Sequence, residues 1–372
     1  MFYHYTGNVQ FDLQINRVVS YFGNNSKVEA DLRTILPHLD SIPAWNRLWK
    51  ALAFKRKKSQ DYDIASFYFF AAGFYLLEDN PDRELIQKER LACFYQWYDI
   101  FPYERHDVPF DDFYLPAVKL INPNAQKTLL VFAGYDSCLE ELMVWVKDFR
   151  GTAYNIIIFD GPGQGNALFG GSHFMMNFER PVSAVLDYFE LDRVVAWGIS
   201  WGGYFVMRAA AFEKRIDKVI AMDIFYQGMD ALIEGMPLLK GLALQMLLFL
   251  KRERILNRLI SREMTKDLDL SWKMTRGFQL TNTKTPFALL ENLSRHSMKG
   301  LGASINQEVL LLAAKNDQYV PIKRLKQLEK ELHHAGKVVS RVFTDETGGN
   351  HHCQAGETHL AVKEIKAFLN EN

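Results

Sequence analysis

The chain has 372 residues, enough for two domains or for one domain with insertions, and its 48% hydrophobic and 24% charged residues are typical of a soluble globular protein. Its 44 Lys and Arg residues balance its 44 Asp and Glu residues, which leaves no electrostatic reason to expect nucleic acid or an anionic membrane as the main partner. The cysteines Cys93, Cys138 and Cys353 have no C-x-x-C spacing, which argues against a disulfide framework and a zinc site.

The first residues lack the basic stretch, apolar run and small-residue cleavage site of a secretion signal, which predicts a cytoplasmic protein. The most apolar segment, residues 237–250, is too short to span a bilayer and contains Lys240. We therefore expect a buried or pocket-lining helix there, and no membrane span.

Residues 1–105 are predicted to form a helical accessory domain. Residues 65–77 are apolar or aromatic almost all round, which predicts a helix buried on several sides. Asn80-Pro81-Asp82 then gives a stop signal and a new N-cap before a second helix over residues 83–97. A helical N-terminal domain of this kind is compatible with a homodimer.

From residue 106 onwards strands alternate with helical segments, which predicts an α/β fold with a mostly parallel central sheet. Residues 108–121 contain prolines and are expected to form a hairpin or a pair of edge strands. The remaining strands are predicted over residues 128–133, 155–159, 193–197, 218–222, 309–314 and 338–343.

The alternation stops between residues 226 and 302, where the sequence becomes helical and amphipathic. An insertion after the carboxyl end of a strand falls over the active edge of such a sheet. Residues 226–302 are therefore predicted to be a helical cap that divides the sheet domain into residues 106–225 and 303–372. Within the cap, the basic stretch 251–262 is interpreted as a solvated helix face.

The segment Gly198-Ile199-Ser200-Trp201-Gly202 follows an apolar strand and leads into a helical segment. A serine at such a turn occupies strained backbone, and the positions two before and two after it must be small so that strand and helix can approach each other. The pattern predicts a nucleophile elbow with Ser200 as the attacking residue.

A serine hydroxyl needs a base, and the base needs an acid that orients it. Asp317 lies in the loop after the penultimate predicted strand, and His351 and His352 lie in the glycine-containing loop after the last one. The chain order of serine, acid and histidine is that of α/β-hydrolases. Spacing does not separate the two histidines, and Asp223 is a rival acid because it also lies at the end of a strand.

An oxyanion that develops on the attacked carbonyl needs two N–H donors. One is expected from Trp201, and the other from the amide of Tyr135 or Asp136 in the loop Gly134-Tyr135-Asp136-Ser137. The spacing of Asp160-Gly161-Pro162-Gly163-Gln164-Gly165 is close to that of a dinucleotide fingerprint. Its proline, and the lack of an acidic residue on a following strand, favour a structural loop at the active edge of the sheet.

Five motifs within residues 107–372 resemble those of the α/β-hydrolase superfamily, namely Phe132-Ala133-Gly134-Tyr135-Asp136-Ser137 with Glu140-Glu141, Asp160 to Gly165, Gly198 to Gly203, Asn316-Asp317 and His352-Cys353-Gln354. More narrowly, the chain resembles the group with an N-terminal helical domain, which includes FrsA-like esterases, 2,6-dihydroxypseudooxynicotine hydrolase and the fungal hydrolases that shorten polyketide pigment precursors. In this group the histidine precedes cysteine or a similar small residue, so the resemblance implies His352 rather than His351. Ala133 departs from the pattern, because a second glycine is common there.

The resemblance implies an α/β-hydrolase fold with an N-terminal helical domain and a helical cap, and a serine hydrolase that needs no metal or organic cofactor. Ser200 would attack the carbonyl of a small-molecule ester or ketone of apolar or aromatic character, with His352 as the base and Asp317 holding the imidazolium. Members of the group hydrolyse esters and sometimes amides, and they also cleave carbon–carbon bonds beside ketones. A few members transfer acyl groups. An acyltransferase with the same triad, and a non-catalytic binding protein on this fold, are the alternatives.

Overall fold

The computed structural model describes residues 2–370, which divide into two compact units. The first unit covers residues 2–100 and 355–357, and the second covers residues 101–354 and 358–370. The first strand begins at Tyr103, slightly before the predicted boundary at residue 105. The four-part division expected from the sequence stays a prediction.

The first unit is built from helices, and two of them were expected from their sequence patterns. Helix α4 (Tyr62–Gly73) is buried on nearly every side, as predicted for residues 65–77, but it ends at Gly73. Helix α5 (Asp82–Trp97) begins directly after the stop signal, as predicted. The rings of Trp45, Trp49 and Tyr68 pack edge-on or tilted in its core, with centroids 5.6 and 5.0 Å apart. The helices are α1 (Val9–Val19), α2 (Ser26–Ile35), α3 (Ile42–Lys58), α4 (Tyr62–Gly73) and α5 (Asp82–Trp97).

The second unit contains an eight-stranded sheet. Its strands are β1 (Tyr103–Phe110), β2 (Phe113–Leu120), β3 (Lys127–Phe132), β4 (Tyr154–Phe159), β5 (Val194–Ile199), β6 (Ile216–Met222), β7 (Glu308–Ala314) and β8 (Lys337–Phe343). Their order across the sheet is β1-β2-β4-β3-β5-β6-β7-β8. The first two strands form an antiparallel hairpin at one edge, β2 pairs antiparallel with β4, and all other pairs are parallel. The mostly parallel α/β sheet predicted from the alternating pattern is thus confirmed.

Four neighbouring strands of this sheet position the polar residues that the sequence singled out. Strands β5, β6, β7 and β8 lie side by side and run parallel, so their carboxyl ends meet at one edge. The side chains of interest follow these strands, one after each: Ser200, Asp223, Asp317 and His352. The fold therefore brings together residues that are far apart along the chain.

The helices of the second unit connect the strands and build the segment between β6 and β7. Helix α9 (Gly202–Phe212) packs on β5 and β6 and so supports the turn at Ser200. The helices are α6 (Leu139–Trp145), α7 (Gly165–Phe169), α8 (Glu179–Tyr188), α9 (Gly202–Phe212), α10 (Asp230–Ile233), α11 (Leu238–Phe249), α12 (Glu253–Met264), α13 (Leu268–Thr281), α14 (Pro286–Ser294), α15 (Lys323–Glu331) and α16 (Thr358–Asn370).

The expectation of a buried or pocket-lining helix over residues 237–250 is wrong. Residues 238–249 do form a helix, α11, but Gly241 is the residue of it that is buried. The side chains of Leu238, Leu239 and Phe249 are about four-fifths exposed, at 77%, 80% and 82%. The apolar composition of this segment predicted burial. The neighbouring helices α12 and α14, however, contact the other side of α11 and leave these side chains uncovered.

Among residues 2–370 we find no helix that combines the length and the apolar character needed to cross a bilayer.

Candidate active site

Ser200 lies at a sharp turn between β5 and α9, as expected for an elbow. Its φ angle is +59°, a left-handed conformation that is costly for a residue with a side chain. Its N–H donates to the carbonyl of Met222 at 2.8 Å, which ties the turn to β6. A Cβ on Gly198 would lie 1.9 Å from the carbonyl oxygen of Gly202, so the strand and the helix approach each other too closely for any side chain there.

The hydroxyl of Ser200 is hydrogen-bonded to His352, with 2.8 Å between Oγ and Nε2. On the other side of the ring, Nδ1 lies 2.8 Å from Oδ2 of Asp317. The second oxygen of Asp317 accepts the backbone N–H groups of Tyr319 and Val320, at 2.7 and 2.9 Å. Asp317 therefore holds its own loop with one oxygen and the imidazole with the other.

Asp223 is a second carboxylate at the same imidazole. Its Oδ2 lies 3.0 Å from Nδ1 of His352, and it also accepts the backbone N–H and the thiol of Cys353, each at 3.0 Å. The sequence had offered Asp223 as a rival to Asp317, and the structure brings both acids to the ring. Both carboxylates are buried.

The two carboxylates change the proton affinity of the site. Burial alone lowers the pKa of His352, but the negative charges of Asp317 and Asp223 outweigh it and hold that pKa well above its usual value. Burial also raises the pKa of Asp317, helped by the nearby charge of Asp223 and opposed by His352. Burial and Asp223 raise the pKa of the Cys353 thiol, which therefore stays protonated and can donate to that carboxylate.

Asp223, His352 and Cys353 also form a group whose potential metal-ligating atoms lie within 4.8 Å of one another. The hydrogen bonds among these three side chains account for their proximity. We therefore assign the group to the hydrogen-bond network of the site.

The expected oxyanion loop lies against the elbow. A Cβ on Gly134 would lie 2.5 Å from the backbone nitrogen of Trp201, so only glycine allows this approach. The ring of Tyr135 stacks on that of Trp201, with centroids 5.7 Å apart, and its hydroxyl donates to the carbonyl of Lys273 in α13 at 2.7 Å. Which amide of Tyr135 and Asp136 completes an oxyanion hole stays a prediction.

The loop from Asp160 to Gly165 braces the oxyanion loop, a role that the sequence indicated only as structural. The amide of Gln164 donates to the carbonyl of Ala133 at 2.5 Å, and Asp160 accepts the N–H groups of Leu139 and Asn166 at 2.8 and 2.7 Å. The sequence did not predict this bond of Gln164, because its partner is the backbone carbonyl of Ala133, which follows β3 and is distant along the chain.

His296 lies within residues 226–302, the segment predicted to be a cap, and no sequence motif pointed to it. It is buried, and its Nδ1 accepts the indole N–H of Trp201 at 3.1 Å. Burial, reinforced by the charge of Arg208, lowers the pKa of His296 to about 3, so the ring is neutral and can accept this bond. It also lines a cavity of about 180 Å³ together with Met175, Met176, Asn177, Asn292 and Arg295.

Three other histidines of the second unit are His351, His359 and His173. The imidazole that is hydrogen-bonded to both Ser200 and Asp317 is that of His352. His359 is in α16, and His173 lies beside the carbonyl of Gln279, with Nδ1 at 3.1 Å. The geometry thus separates His352 from His351, which spacing could not do.

Comparison with known proteins supports the same fold. The family model described as the alpha/beta hydrolase fold matches residues 127–350. The chain is 29% identical over 230 residues to the hydrolyase poxO of Penicillium oxalicum, covering 51% of this chain and 54% of that protein. It is 26% identical over 281 residues to the hydrolase phmG of Phaeosphaeria nodorum, covering 65% of this chain and 60% of the relative. The chain thus spans little more than half the length of these curated relatives.

Two solved structures resemble most of the chain. Wild-type AbyA5 has a TM-score of 0.73 at 16% identity, covering 97% of this chain and 94% of its own. The 2,6-dihydroxy-pseudo-oxynicotine hydrolase has a TM-score of 0.69 at 16% identity, covering 94% of both chains. At this low identity the likeness shows a shared fold.

Proposed function

Because this chain belongs to the α/β-hydrolase fold family, we propose that it is a serine hydrolase that works through an acyl-enzyme. The observation that carries the proposal is the chain of hydrogen bonds from Ser200 Oγ through His352 to Asp317, with 2.8 Å at each step. Such a chain activates a serine hydroxyl, which is otherwise a weak nucleophile at neutral pH. The fold alone would not support an activity.

In the proposed reaction, Ser200 Oγ attacks the substrate carbonyl and passes its proton to Nε2 of His352. Asp317 accepts the Nδ1–H of the imidazolium and stabilises its charge, and Asp223 adds a second negative charge at the same nitrogen. The N–H of Trp201 and one amide of the loop 134–137 hold the oxyanion. His352 then returns the proton to the leaving group, and a water that it activates releases the acyl group from Ser200.

The side chains around the nucleophile favour an apolar or aromatic substrate. The ring of Trp201 contacts those of Phe225 and Phe174, with centroids 5.1 and 6.1 Å away, and Tyr319 packs edge-on against His352 at 4.9 Å. Apolar walls of this kind exclude water and select a substrate by shape. We propose an ester or a ketone as the substrate class, with cleavage of a C–O or a C–C bond.

A covalent probe tests the proposal directly. An alkyl fluorophosphonate should phosphonylate Ser200, forming the Oγ–P bond and expelling fluoride while His352 takes the proton. We expect wild type to be labelled and Ser200→Ala to be unlabelled, and hydrolysis of a p-nitrophenyl ester to be lost together with the label. Ser294→Ala is the matched control, because its hydroxyl only donates to the carbonyl of Glu291 on its own helix.

Two results would contradict the proposal. Labelling that persists in Ser200→Ala would place the reactive group elsewhere, and a wild type that is folded but not labelled would favour a binding protein on this fold. Partition of a trapped acyl group towards an added alcohol or amine rather than water would support the acyltransferase alternative. The expected homodimer and the cytoplasmic location stay predictions.

A further inference from the structure

Helix α11 exposes its apolar face. Leu238, Leu242, Met246 and Phe249 follow one another at intervals of three or four residues and so share one side of the helix. Their exposed fractions are 77%, 52%, 57% and 82%. A run of large exposed apolar side chains along a single helix face marks a surface that contacts something else.

Helix α12 continues this surface. Leu256 and Ile260 are buried and hold the helix against the protein, while Ile255 and Leu259 are each 52% exposed on the other side. The two helices contact each other. We call the exposed side chains of residues 238–262 the α11–α12 surface.

The α11–α12 surface is strongly basic, although the chain as a whole has no net charge. Residues 238–262 contain six basic residues and one acidic residue, a net charge of +5. All six basic side chains belong to exposed residues, and on α12 two of them share the exposed arc with Ile255 and Leu259. The six are Lys240, Lys251, Arg252, Arg254, Arg258 and Arg262.

We propose that the α11–α12 surface binds the surface of an anionic phospholipid bilayer. The leucine, methionine and phenylalanine side chains would enter the boundary between headgroups and acyl chains, and the basic side chains would contact lipid phosphates. An amphipathic helix that lies in the interface combines these features, an apolar face with Leu and Phe and flanking Lys and Arg. Helix α11 has 12 residues, so it can lie on a bilayer but cannot span it.

Charge distinguishes a bilayer from a second copy of this chain. In a two-fold symmetric dimer each patch faces itself, so the +5 charge of one protomer would be placed against the same charge of its partner. Like charges opposed in this way cost binding free energy. An anionic lipid surface instead offers opposite charge, and each Lys or Arg near it contributes about 1 kcal/mol.

Vesicle co-sedimentation with the full chain tests the proposal. The probes are vesicles of phosphatidylcholine alone and of phosphatidylcholine with about 30 mol% phosphatidylglycerol, enough anionic lipid to give a negative surface potential. We expect binding to the anionic vesicles, weak binding to the neutral ones, and release as the salt rises from about 0.1 M to about 1 M.

Two variants test the surface itself, each with a matched control. Phe249→Ser should weaken partitioning by about tenfold or more, because it removes a large apolar side chain from the interface. Its control is Tyr114→Ser on β2, which is also highly exposed, at 61%. Arg258→Gln with Arg262→Gln should weaken partitioning by about thirtyfold, and its control is Lys326→Gln with Lys330→Gln on the exposed side of α15. Thermal melting followed by far-UV circular dichroism checks that each variant is folded.

Several outcomes would overturn the proposal. These are equal binding to neutral and anionic vesicles, equal losses in the variants and their controls, or no binding of the folded wild type. A concentration-dependent dimer in sedimentation velocity that Phe249→Ser abolishes, without vesicle binding, would assign the surface to a second copy of the chain.

Discussion

Replacement of Asp317 by asparagine tests how the site orients its base. The oxygen of the substituted side chain can still accept the N–H groups of Tyr319 and Val320, so the loop should keep its conformation. The new amide N–H₂, however, would face Nδ1 of His352 and favour the tautomer that cannot accept the proton of Ser200. In a serine hydrolase with one orienting acid, this change costs about 10⁴-fold in kcat.

Here a second acid should reduce that loss. Asp223 lies 3.0 Å from Nδ1, against 2.8 Å for Asp317. Coulomb attraction varies inversely with distance, so at equal dielectric constant the two carboxylates differ in attraction to the imidazolium by only about 7%. Asp223 can therefore keep the proton on Nδ1, and we expect Asp317→Asn to lose only about 10²-fold, whereas Asp317→Asn with Asp223→Asn loses about 10⁴-fold.

The assay is kcat/KM for a p-nitrophenyl ester whose hydrolysis requires Ser200, measured for wild type, both single variants and the double variant. The rate of fluorophosphonate labelling gives a second readout that does not depend on the ester. If Asp317→Asn alone were as inactive as the double variant, Asp223 would have no orienting role. If Asp223→Asn alone cost more than Asp317→Asn, Asp223 rather than Asp317 would be the principal acid.

Three further predictions concern titration and the choice of histidine. Because Asp223 helps to raise the pKa of His352, and because the base must be neutral to act, activity should fall as the pH drops through that raised pKa, and Asp223→Asn should shift this limb of the kcat/KM profile to lower pH. An unchanged or upward-shifted limb would contradict the assignment. His352→Ala should lose at least hundreds-fold activity in the ester assay while His351→Ala loses much less, and the reverse pattern would refute the choice of base. Buried His296, whose pKa is lowered to about 3, stays neutral when folded but takes up a proton when unfolded below its ordinary pKa of about 6.5. It should therefore contribute a loss of up to about 1.4 kcal/mol in the free energy of unfolding per pH unit below that value, which urea denaturation at several pH values would detect as a shallower slope in His296→Gln.

The elbow could be predicted because its signal is local. The small residue at Gly198 is required by its contact with Gly202 within the same turn, and the apolar strand β5 runs directly into that turn. The close approach at Gly202 involves the carbonyl of Ala133 instead, which is distant in sequence. Chain order then predicted the loops that carry Asp317 and His352, because parallel strands end at one edge of the sheet. Their functional roles stay predictions, although their hydrogen-bonded arrangement agrees with them.

Other features depend on distances that the sequence does not contain. Asp223 and Asp317 both follow strands of the same sheet, and only the packing of the β8–α16 loop, with left-handed backbone at Cys353, brings His352 within reach of both. His296 had no motif, since its contact with the indole of Trp201 joins residues about a hundred positions apart.

The sequence by itself determined the α/β alternation, the turn at Ser200 and the strand ends that carry the polar residues, because these follow from periodicity and short-range sterics. Only the tertiary structure decided which side chains meet at His352 and that the apolar face of α11 lies in solvent. Burial depends on the area that neighbouring elements leave uncovered, and a hydrogen bond depends on fractions of an ångström between separate loops. Neither quantity is a property of a local stretch of residues.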